Sequence, residues 1–195
     1  MNRIAQVTRK TRETEVEVDL CLEGKGKCRV STGIPFFDHM LTLFATHGLF
    51  DINITAQGDL EIDFHHTVED IGITLGQVFK KALGDFKGIR RFGSAAVPMD
   101  EALTTVALDI SGRSHLIYNV PKIQEKVGGF DWELAACFLK GFSDHLGITL
   151  HVNMHYGTNG HHVLESVFKA LARALDEATS LDPHREGVPS SKGML

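Results

Sequence analysis

The chain has 195 residues, of which 43% are hydrophobic and 23% are charged, and its formal net charge is −5 at pH 7. This length and composition indicate one globular domain or two small similar halves, and the negative charge does not favour nucleic-acid binding. The polar N-terminus lacks the apolar segment of a secretion signal, and no stretch approaches the roughly 20 apolar residues of a membrane-spanning helix. We therefore expect a cytoplasmic protein without nucleic-acid or membrane partners.

The first half of the sequence contains short strand patterns and two helical patterns. Period-two alternation at 14–22, followed by a turn and a return at 28–32, predicts a half-buried hairpin. A short helix is predicted at 36–46, followed by strands at 51–56 and 60–64. An apolar stripe then predicts a long helix at 67–83.

The second half repeats this order. Paired strands are predicted at 103–110 and 114–118, a helix at 131–142, a strand at 148–154 and a long amphipathic helix at 162–179. The repetition predicts an α+β fold of two similar half-domains from an internal duplication, each a small β-sheet with two helices. We place these half-domains at 1–92 and 93–183, followed by a loop-like C-terminal tail at 184–195.

A His-His-x-x-Glu motif occurs twice, as HHTVE at 65–69 and HHVLE at 161–165. Imidazole and carboxylate ligands suit transition metals rather than calcium or magnesium. Helix residues three and four apart share a face, so each glutamate faces one of its two histidines. Adjacent histidines point about 100° apart on a helix, so each pair is expected to serve two different ions.

Neither copy of the motif supplies a complete metal site. One copy offers a histidine and a glutamate to a first ion and a single histidine to a second, so both halves, or several subunits, must contribute ligands. A single His-His-x-x-Glu motif is also compatible with a surface or capping pair. Two copies at helix starts in equivalent halves favour a metal site.

Cations beside glycine or serine form a weaker signal for a phosphate group. A cation of this kind is by itself more often a solvated surface residue. Lys169 is the exception that favours a site, because it shares a helix face with Glu165. Asp100 and Glu101 stand at a strand start and predict turn chemistry. The cations in question are Arg91, Arg113, Lys169 and Lys192.

These motifs together resemble those of the imidazoleglycerol-phosphate dehydratases of histidine biosynthesis. The matching segments are 33–41, 63–70, 91–93, 109–113, 161–169 and 190–193. The resemblance implies removal of water from D-erythro-imidazole-glycerol phosphate, a small phosphorylated imidazole substrate, to give imidazole acetol phosphate. It also implies a ribosomal S5 domain 2-like fold, two Mn²⁺ ions per subunit, with other divalent transition metals possible, and a homo-oligomer, which in the family is a cage of 24 subunits.

The resemblance carries two sets of site residues onto this sequence by position. The implied metal ligands are His39, His65, His66, Glu69, His161, His162 and Glu165. The implied substrate-binding residues are Glu13, His39, His47, Arg91, Arg113, Lys169, Ser190, Ser191 and Lys192. An imidazole ring held between two metals can push electrons toward the side chain and expel the neighbouring hydroxyl. A carboxylate, Glu13 or Glu165, then moves the proton at the next carbon as the catalytic group.

The sequence departs from the family at Cys137, where histidine is often the second half's counterpart of His39. The odd number of cysteines (Cys21, Cys28 and Cys137) predicts reduced thiols. We expect Cys137 to be a small buried side chain, because its helix is strongly apolar there. A thiolate ligand, or replacement of the missing ligand by Glu133, are the alternatives.

Two other functions fit the same motifs. One is a dinuclear metallohydrolase of a small phosphorylated substrate, and the other is a non-catalytic metal-binding protein. A hydrolase needs no imidazole pocket, and a storage protein has no use for the phosphate cations. Incubation with Mn²⁺ and imidazole-glycerol phosphate separates these alternatives from a dehydratase.

Overall fold

The computed structural model describes residues 3–194, which form two four-stranded sheets, a two-stranded ribbon and four helices. The helices are α1 (Pro35–Gly48), α2 (His65–Leu83), α3 (Glu133–Leu146) and α4 (Gly160–Thr179). The strands are β1 (Ile4–Lys10), β2 (Thr14–Cys21), β3 (Cys28–Ser31), β4 (Asp51–Gly58), β5 (Phe92–Met99), β6 (Ala102–Asp109), β7 (His115–Asn119), β8 (Lys126–Val127), β9 (Phe130–Asp131) and β10 (Thr149–Tyr156). Within this range, no helix is long and apolar enough to cross a bilayer.

The two sheets have the same topology. Their strand orders are β1-β2-β4-β3 and β5-β6-β10-β7, with one parallel pair at the edge of each sheet. Helix α2 packs against β1 and β2, and α4 packs against β5 and β6. The predicted α+β fold of two similar halves, each a small sheet with two helices, is therefore confirmed. The proposed boundary between 92 and 93 falls at the start of β5.

The two predicted strand pairings are wrong. Strand β2 pairs with β1 and β4, whereas β3 pairs with β4 in parallel. In the second sheet, β10 lies between β6 and β7 in the same way. The helix between β3 and β4, and between β7 and β10, makes each of these connections a crossover, which produces parallel pairing rather than a hairpin.

The predicted strand at 60–64 is also wrong. This segment is a turn, in which the N–H of Ile62 donates to the carbonyl of Asp59 at 2.9 Å. Ile62 is 67% exposed, so the alternation of the segment does not reflect a buried face. The turn leads directly into α2 and places Asp59 beside the first turn of that helix.

The halves share one hydrophobic core because their helices cross closely. A Cβ atom on Gly72 would lie 2.5 Å from the carbonyl oxygen of Phe138, and one on Gly76 would lie 2.6 Å from that of Phe142. On the opposite helix, a Cβ atom on Gly141 would lie 3.0 Å from the carbonyl oxygen of Glu69. Because these three residues are glycines, the backbones of α2 and α3 can pack closely. The first turns of the two helices therefore lie side by side.

Candidate metal centres

The second His-His-x-x-Glu motif forms the first turns of α4. The side chain of Asn159 caps this helix and accepts from the backbone N–H groups of His161, at 2.9 Å, and His162, at 3.4 Å. This cap satisfies two of the N–H groups that a helix start leaves without partners. Because the helix begins at Gly160, His161 and Glu165 lie four residues apart on one face.

His39 joins these two residues to form the α1–α4 centre, defined as His39, His161 and Glu165. Nε2 of His39 lies 3.4 Å from Oε2 of Glu165, and Nε2 of His161 lies 3.2 Å from the same oxygen. One ligand atom from each side chain lies within 4.8 Å of the others. His39 comes from α1 in the first half, whereas the other two residues come from α4 in the second.

The carboxylate of Glu165 is ionised despite being only 6% exposed. Burial by itself raises its pKa, but the hydrogen bond and charge of Lys169, with the contribution of His39, outweigh burial and lower the pKa. Lys169 Nζ lies 2.5 Å from Oε1 of Glu165. Burial and the nearby charge of Lys169 lower the pKa of His47, which favours its neutral imidazole.

The first copy of the motif begins α2. The side chain of Asp63 accepts from the backbone N–H of His65 at 2.7 Å, so both histidines of this copy lie in the first turn. His65 and Glu69 lie four residues apart on one face, and Cys137 of α3 lies opposite them. We call His65, Glu69 and Cys137 the α2–α3 centre.

The α2–α3 centre also brings three donors together. Sγ of Cys137 lies 3.8 Å from Nε2 of His65, and one ligand atom from each of the three residues lies within 4.8 Å of the others. Cys137 is half-buried, whereas the packing interpretation expects a buried thiol. Burial, followed by the charge of Glu69, raises the pKa of the free thiol to about 11. Among the described residues, Glu133 belongs to neither group of donors.

The two centres are related by the internal duplication. In each, a histidine and glutamate from one half meet a single residue from the other half. His39 of α1 meets α4, and Cys137 of α3 meets α2. His39 and Cys137 are therefore structural counterparts, as the resemblance to the family implies.

The second histidine of each motif faces away from its own centre. Nδ1 of His66 lies 2.9 Å from Oδ2 of Asp59, and Nδ1 of His162 lies 2.6 Å from Oε2 of Glu101. These hydrogen bonds raise the pKa of both histidines. A carboxylate on one ring nitrogen is the arrangement that orients a histidine so that its other nitrogen can bind a metal.

The donor sets fit divalent transition metals. Donors about 2.1 Å from one ion lie within roughly 4 Å of one another, close to the separations observed here. Both centres contain imidazole and carboxylate, which suit Mn, Fe, Co, Ni and Zn. Each centre offers three donors, so an ion bound there would have open positions for water, substrate or a further ligand.

Arg91 and the C-terminal tail lie at the far end of α4 from the α1–α4 centre. The backbone N–H of Arg91 donates to the carbonyl of Ala178 at 2.9 Å, near the C-terminus of α4. Because a helix rises about 1.5 Å per residue, Ala178 lies about 25 Å along the axis from His161. One chain therefore does not bring Arg91 to its own α1–α4 centre.

The side chain of Arg91 organises the C-terminal tail. Its Nε and Nη2 atoms donate to the carboxylate of Asp109 at 2.6 and 3.0 Å, and Nη1 donates to the carbonyl of Pro189 at 2.8 Å. The hydrogen bonds that Arg91 donates to Asp109 raise the pKa of the guanidinium, which stays charged. Arg91 thus holds the segment that carries Ser190, Ser191 and Lys192, of which the last two are exposed.

The remaining predicted residues occupy separate loops. Arg113 is exposed on the loop between β6 and β7, where its backbone N–H donates to Oγ of Ser111 at 3.3 Å. Glu13 is exposed on the β1–β2 turn, where its backbone N–H donates to Oγ1 of Thr11 at 3.1 Å. The negative charge of Glu13 contributes to the raised pKa of His66, which places this turn near the start of α2.

Sequence reasoning missed the two carboxylates that orient the outward histidines. The position of Glu101 at a strand start predicts turn chemistry, and no sequence pattern marks Asp59. Both precede their histidines in the chain, Asp59 by 7 residues and Glu101 by 61, so the repeat contains no common spacing that could reveal them.

Known proteins match this chain along its length. The family model described as Imidazoleglycerol-phosphate dehydratase matches residues 32–175. The imidazoleglycerol-phosphate dehydratase of Citrifermentans bemidjiense is 56% identical over 195 residues, which is 100% of both chains. That of Thermoanaerobacter pseudethanolicus is 56% identical over 193 residues, which is 99% of this chain and 100% of the relative.

Solved structures agree with these sequence matches. The crystal structure of imidazoleglycerol-phosphate dehydratase from Staphylococcus aureus has a TM-score of 0.83 and 38% identity, and the match covers 92% of this chain and 99% of that chain. The structure of the enzyme from Pyrococcus furiosus, in complex with (S)-C348, has a TM-score of 0.82 and 37% identity, covering 97% and 100%. The chain belongs to the imidazoleglycerol-phosphate dehydratase family.

Proposed function

We propose that this protein is a metal-dependent hydro-lyase that converts D-erythro-imidazole-glycerol phosphate to imidazole acetol phosphate in histidine biosynthesis in the cytoplasm. Two Mn²⁺ ions per subunit are its proposed cofactors. The proposal rests on one observation about the two copies of the motif. Each copy gives one histidine and its glutamate to a metal centre, and its second histidine, oriented by a carboxylate, belongs to neither centre of the same chain. A substrate ring with two nitrogens fits between two such ions, and the full-length family match supports this substrate.

When bound, the ions would polarise the imidazole ring of the substrate and favour loss of the neighbouring hydroxyl. The residues of the chain fix the geometry and the protonation states. Lys169 keeps the buried Glu165 ionised, and the carboxylates of Asp59 and Glu101 orient His66 and His162. These contacts fix the ligand side chains in position before substrate binds. Less free energy is then needed to reorganise the site during the reaction.

Glu13 is the better placed of the two candidate proton-moving carboxylates. Both oxygens of Glu165 are engaged, Oε2 with the two histidines of the α1–α4 centre and Oε1 with Lys169. The side chain of Glu13 is exposed on a turn near His66, where it can reach a bound substrate. We therefore assign proton transfer at the carbon chain to Glu13 and metal binding to Glu165.

A homo-oligomer is proposed because one subunit cannot assemble the site alone. The phosphate-binding residues near Arg91 lie about 25 Å along α4 from the α1–α4 centre. His66 and His162 also point away from the centres of their own chain. Neighbouring subunits can supply both missing parts, with His66 and His162 completing the ligand sets of adjacent chains. The 24-subunit cage of the family is the assembly that we expect.

The experiment is a dehydration assay on the chelated protein. Imidazole-glycerol phosphate is added with and without Mn²⁺, and imidazole acetol phosphate is followed by its absorbance. We expect activity only with Mn²⁺. The variants Glu165→Gln and His66→Ala should lose bound metal and activity, because each removes a ligand. Glu13→Gln should keep its metal and lose kcat.

The matched control for Glu13→Gln is Glu15→Gln. Glu15 lies two residues away, is exposed and pairs with Lys10 at 2.6 Å. Its replacement should leave the reaction unchanged. Release of inorganic phosphate instead of water would identify a metallohydrolase and contradict the proposal. Bound Mn²⁺ without either product would identify a non-catalytic metal-binding protein.

A further inference from the structure

The two centres occupy equivalent positions in the two halves but differ in one donor. The α1–α4 centre offers two imidazole nitrogens and a carboxylate oxygen, whereas the α2–α3 centre offers one imidazole nitrogen, a carboxylate oxygen and a sulfur. The difference lies at His39 and Cys137, the single residue that each centre receives from the opposite half. Because sulfur is a softer donor than nitrogen or oxygen, the two centres are expected to prefer different ions.

The surroundings of Cys137 indicate a donor rather than a packing residue. Phe138 and Leu139, which follow it in α3, are fully buried in the core. Cys137 is half-buried, and its sulfur lies 3.8 Å from Nε2 of His65. Nitrogen and sulfur bound to one zinc ion at about 2.1 and 2.3 Å in tetrahedral geometry are separated by roughly 3.6 Å. The observed separation therefore needs only a small adjustment.

The close crossing of α2 and α3 keeps the sulfur in this position. The glycines at 72 and 141 allow the two backbones to approach, and a Cβ added at Gly141 would lie only 3.0 Å from the carbonyl oxygen of Glu69 itself. Glu69 and Cys137 are thus held on facing helix turns rather than on loops. Sites built on rigid elements maintain donor geometry better than sites on loops.

We propose that Cys137 binds metal as a thiolate, so that the α2–α3 centre prefers Zn²⁺ or Co²⁺ while the α1–α4 centre accepts Mn²⁺. The proposal rests on the metal-dependent function above and deepens it, because it makes the two ions of one subunit chemically different. On binding, the S–H bond breaks, its proton passes to solvent and a sulfur–metal bond forms. The step transfers a proton and involves no oxidation or reduction.

Cobalt reports a sulfur ligand directly, without reference to enzyme activity. The full-length protein is freed of metal by chelation and titrated with Co²⁺, and thiolate-to-cobalt charge-transfer absorption in the near ultraviolet is recorded with the bound cobalt. For the unaltered protein we expect this absorption to saturate at one Co²⁺ per chain. Further cobalt should then bind at the α1–α4 centre without increasing the charge-transfer absorption.

Three variants assign the absorption to one residue. Cys137→Ser should abolish it, and Cys137→His should abolish it while still binding cobalt at the α2–α3 centre. A double variant, Cys21→Ser with Cys28→Ser, removes the other two thiols, which lie on β2 and β3, and should keep the full absorption. In competition, the first equivalent of Zn²⁺ per chain should displace Mn²⁺ from the α2–α3 centre before the α1–α4 centre, and this order should be lost in Cys137→His.

The possible results separate this proposal from the metal-dependent function. Two cobalt ions bound per chain without charge-transfer absorption would overturn the thiolate assignment and leave the function intact. Absorption that persists in Cys137→Ser, or disappears in the double variant, would also overturn the assignment. If the unaltered protein binds no cobalt, both the metal-dependent function and the assignment of Cys137 as a thiolate ligand are contradicted.

Discussion

Nδ1 of His162 lies 2.6 Å from Oε2 of Glu101, a residue 61 positions earlier in the chain. The hydrogen bond from His162 lowers the pKa of Glu101 to about 2, and the same contact raises the pKa of His162. Glu101 also accepts from the backbone N–H groups of Thr158 at 3.1 Å and Asn159 at 2.8 Å. One carboxylate therefore orients a candidate ligand and holds the segment that begins α4.

The stability of the metal-free protein should depend on this pair in a defined pH range. The contribution of Glu101 is complete above its ordinary pKa of 4.5 and is lost as the pH falls toward 2. The contribution of His162 is complete below its ordinary pKa of 6.5 and is lost as the pH rises through its raised pKa. Glu101→Gln should therefore lower Tm most between pH 4.5 and 6.5.

Thermal unfolding of the chelated protein across this pH range measures the effect. Glu125→Gln is the control, because Glu125 is an exposed carboxylate that pairs with Lys122 on a loop. The control should change Tm little at any pH. A Tm difference for Glu101→Gln that is as large at high pH as at pH 5 would show that the imidazolium does not contribute.

Arg113→Ala should raise KM with little change in kcat. Arg113 is exposed, and its guanidinium forms no ion pair with any residue in the range 3–194. A hydrogen bond to a charged group contributes about 1.5–3 kcal/mol, which corresponds to a rise in KM of roughly tenfold to a hundredfold. A phosphate contact made equally in the ground and transition states changes KM alone.

Steady-state kinetics with imidazole-glycerol phosphate tests this assignment. Arg29→Ala, which removes an exposed arginine from β3, controls for the loss of one surface charge. If KM in Arg113→Ala matches that of the unaltered protein, Arg113 does not contact the phosphate. A fall in kcat with KM unchanged would assign it to the chemical step instead.

Gly72→Ala should destabilise the protein and disturb the α2–α3 centre. The added Cβ would lie 2.5 Å from the carbonyl oxygen of Phe138, so the two helices must separate. Overpacking of this kind costs about 1–3 kcal/mol of unfolding free energy. Separation of the helices would also move Cys137 away from His65, so binding of metal at this centre should weaken while the α1–α4 centre is retained.

Denaturant unfolding and metal content together check this prediction. Gly129→Ala is the matched control, because a Cβ at Gly129 would meet its nearest heavy atom, Cε2 of Phe64, at an ordinary 3.8 Å. That variant should have the stability and metal content of the unaltered protein. Equal unfolding free energies for the two variants would mean that α2 and α3 can separate without cost.

Metal removal should change the size of the assembly. His66 and His162 point away from the centres of their own chain, so binding of an ion should link neighbouring subunits. Light scattering should therefore show a smaller species after chelation and regrowth when Mn²⁺ is added. His66→Ala and His162→Ala should both reduce regrowth, whereas His151→Ala, an exposed histidine on β10, should not. A particle of constant size with and without metal would show that other contacts hold the assembly together.

Local spacing in the sequence was enough to predict all four helices that the structure describes, and to mark the repeated motif as a candidate metal site. The amphipathic stripes of α2 and α4 depend on residues three and four apart, which are neighbours in any helix. The repeated motif likewise predicted that adjacent histidines would serve different ions, and in the structure only His65 and His161 share a centre with their glutamates. The strand pairings were predicted wrongly, because they depend on partners distant in the chain and on crossover helices.

The sequence by itself determined the α+β duplication and the repeated His-His-x-x-Glu motif, since both follow from residue types at short spacings. Its resemblance to the family added the other candidate donors, His39 among them. The tertiary structure alone decided how those donors are grouped. It brought His39 to α4 and Cys137 to α2, gave the outward histidines their carboxylates, and placed Arg91 far along α4 from the α1–α4 centre. Such groupings depend on how closely the helices cross. Gly72 and Gly141 permit the close crossing because they have no Cβ, but no short-range sequence pattern shows which helix each glycine packs against.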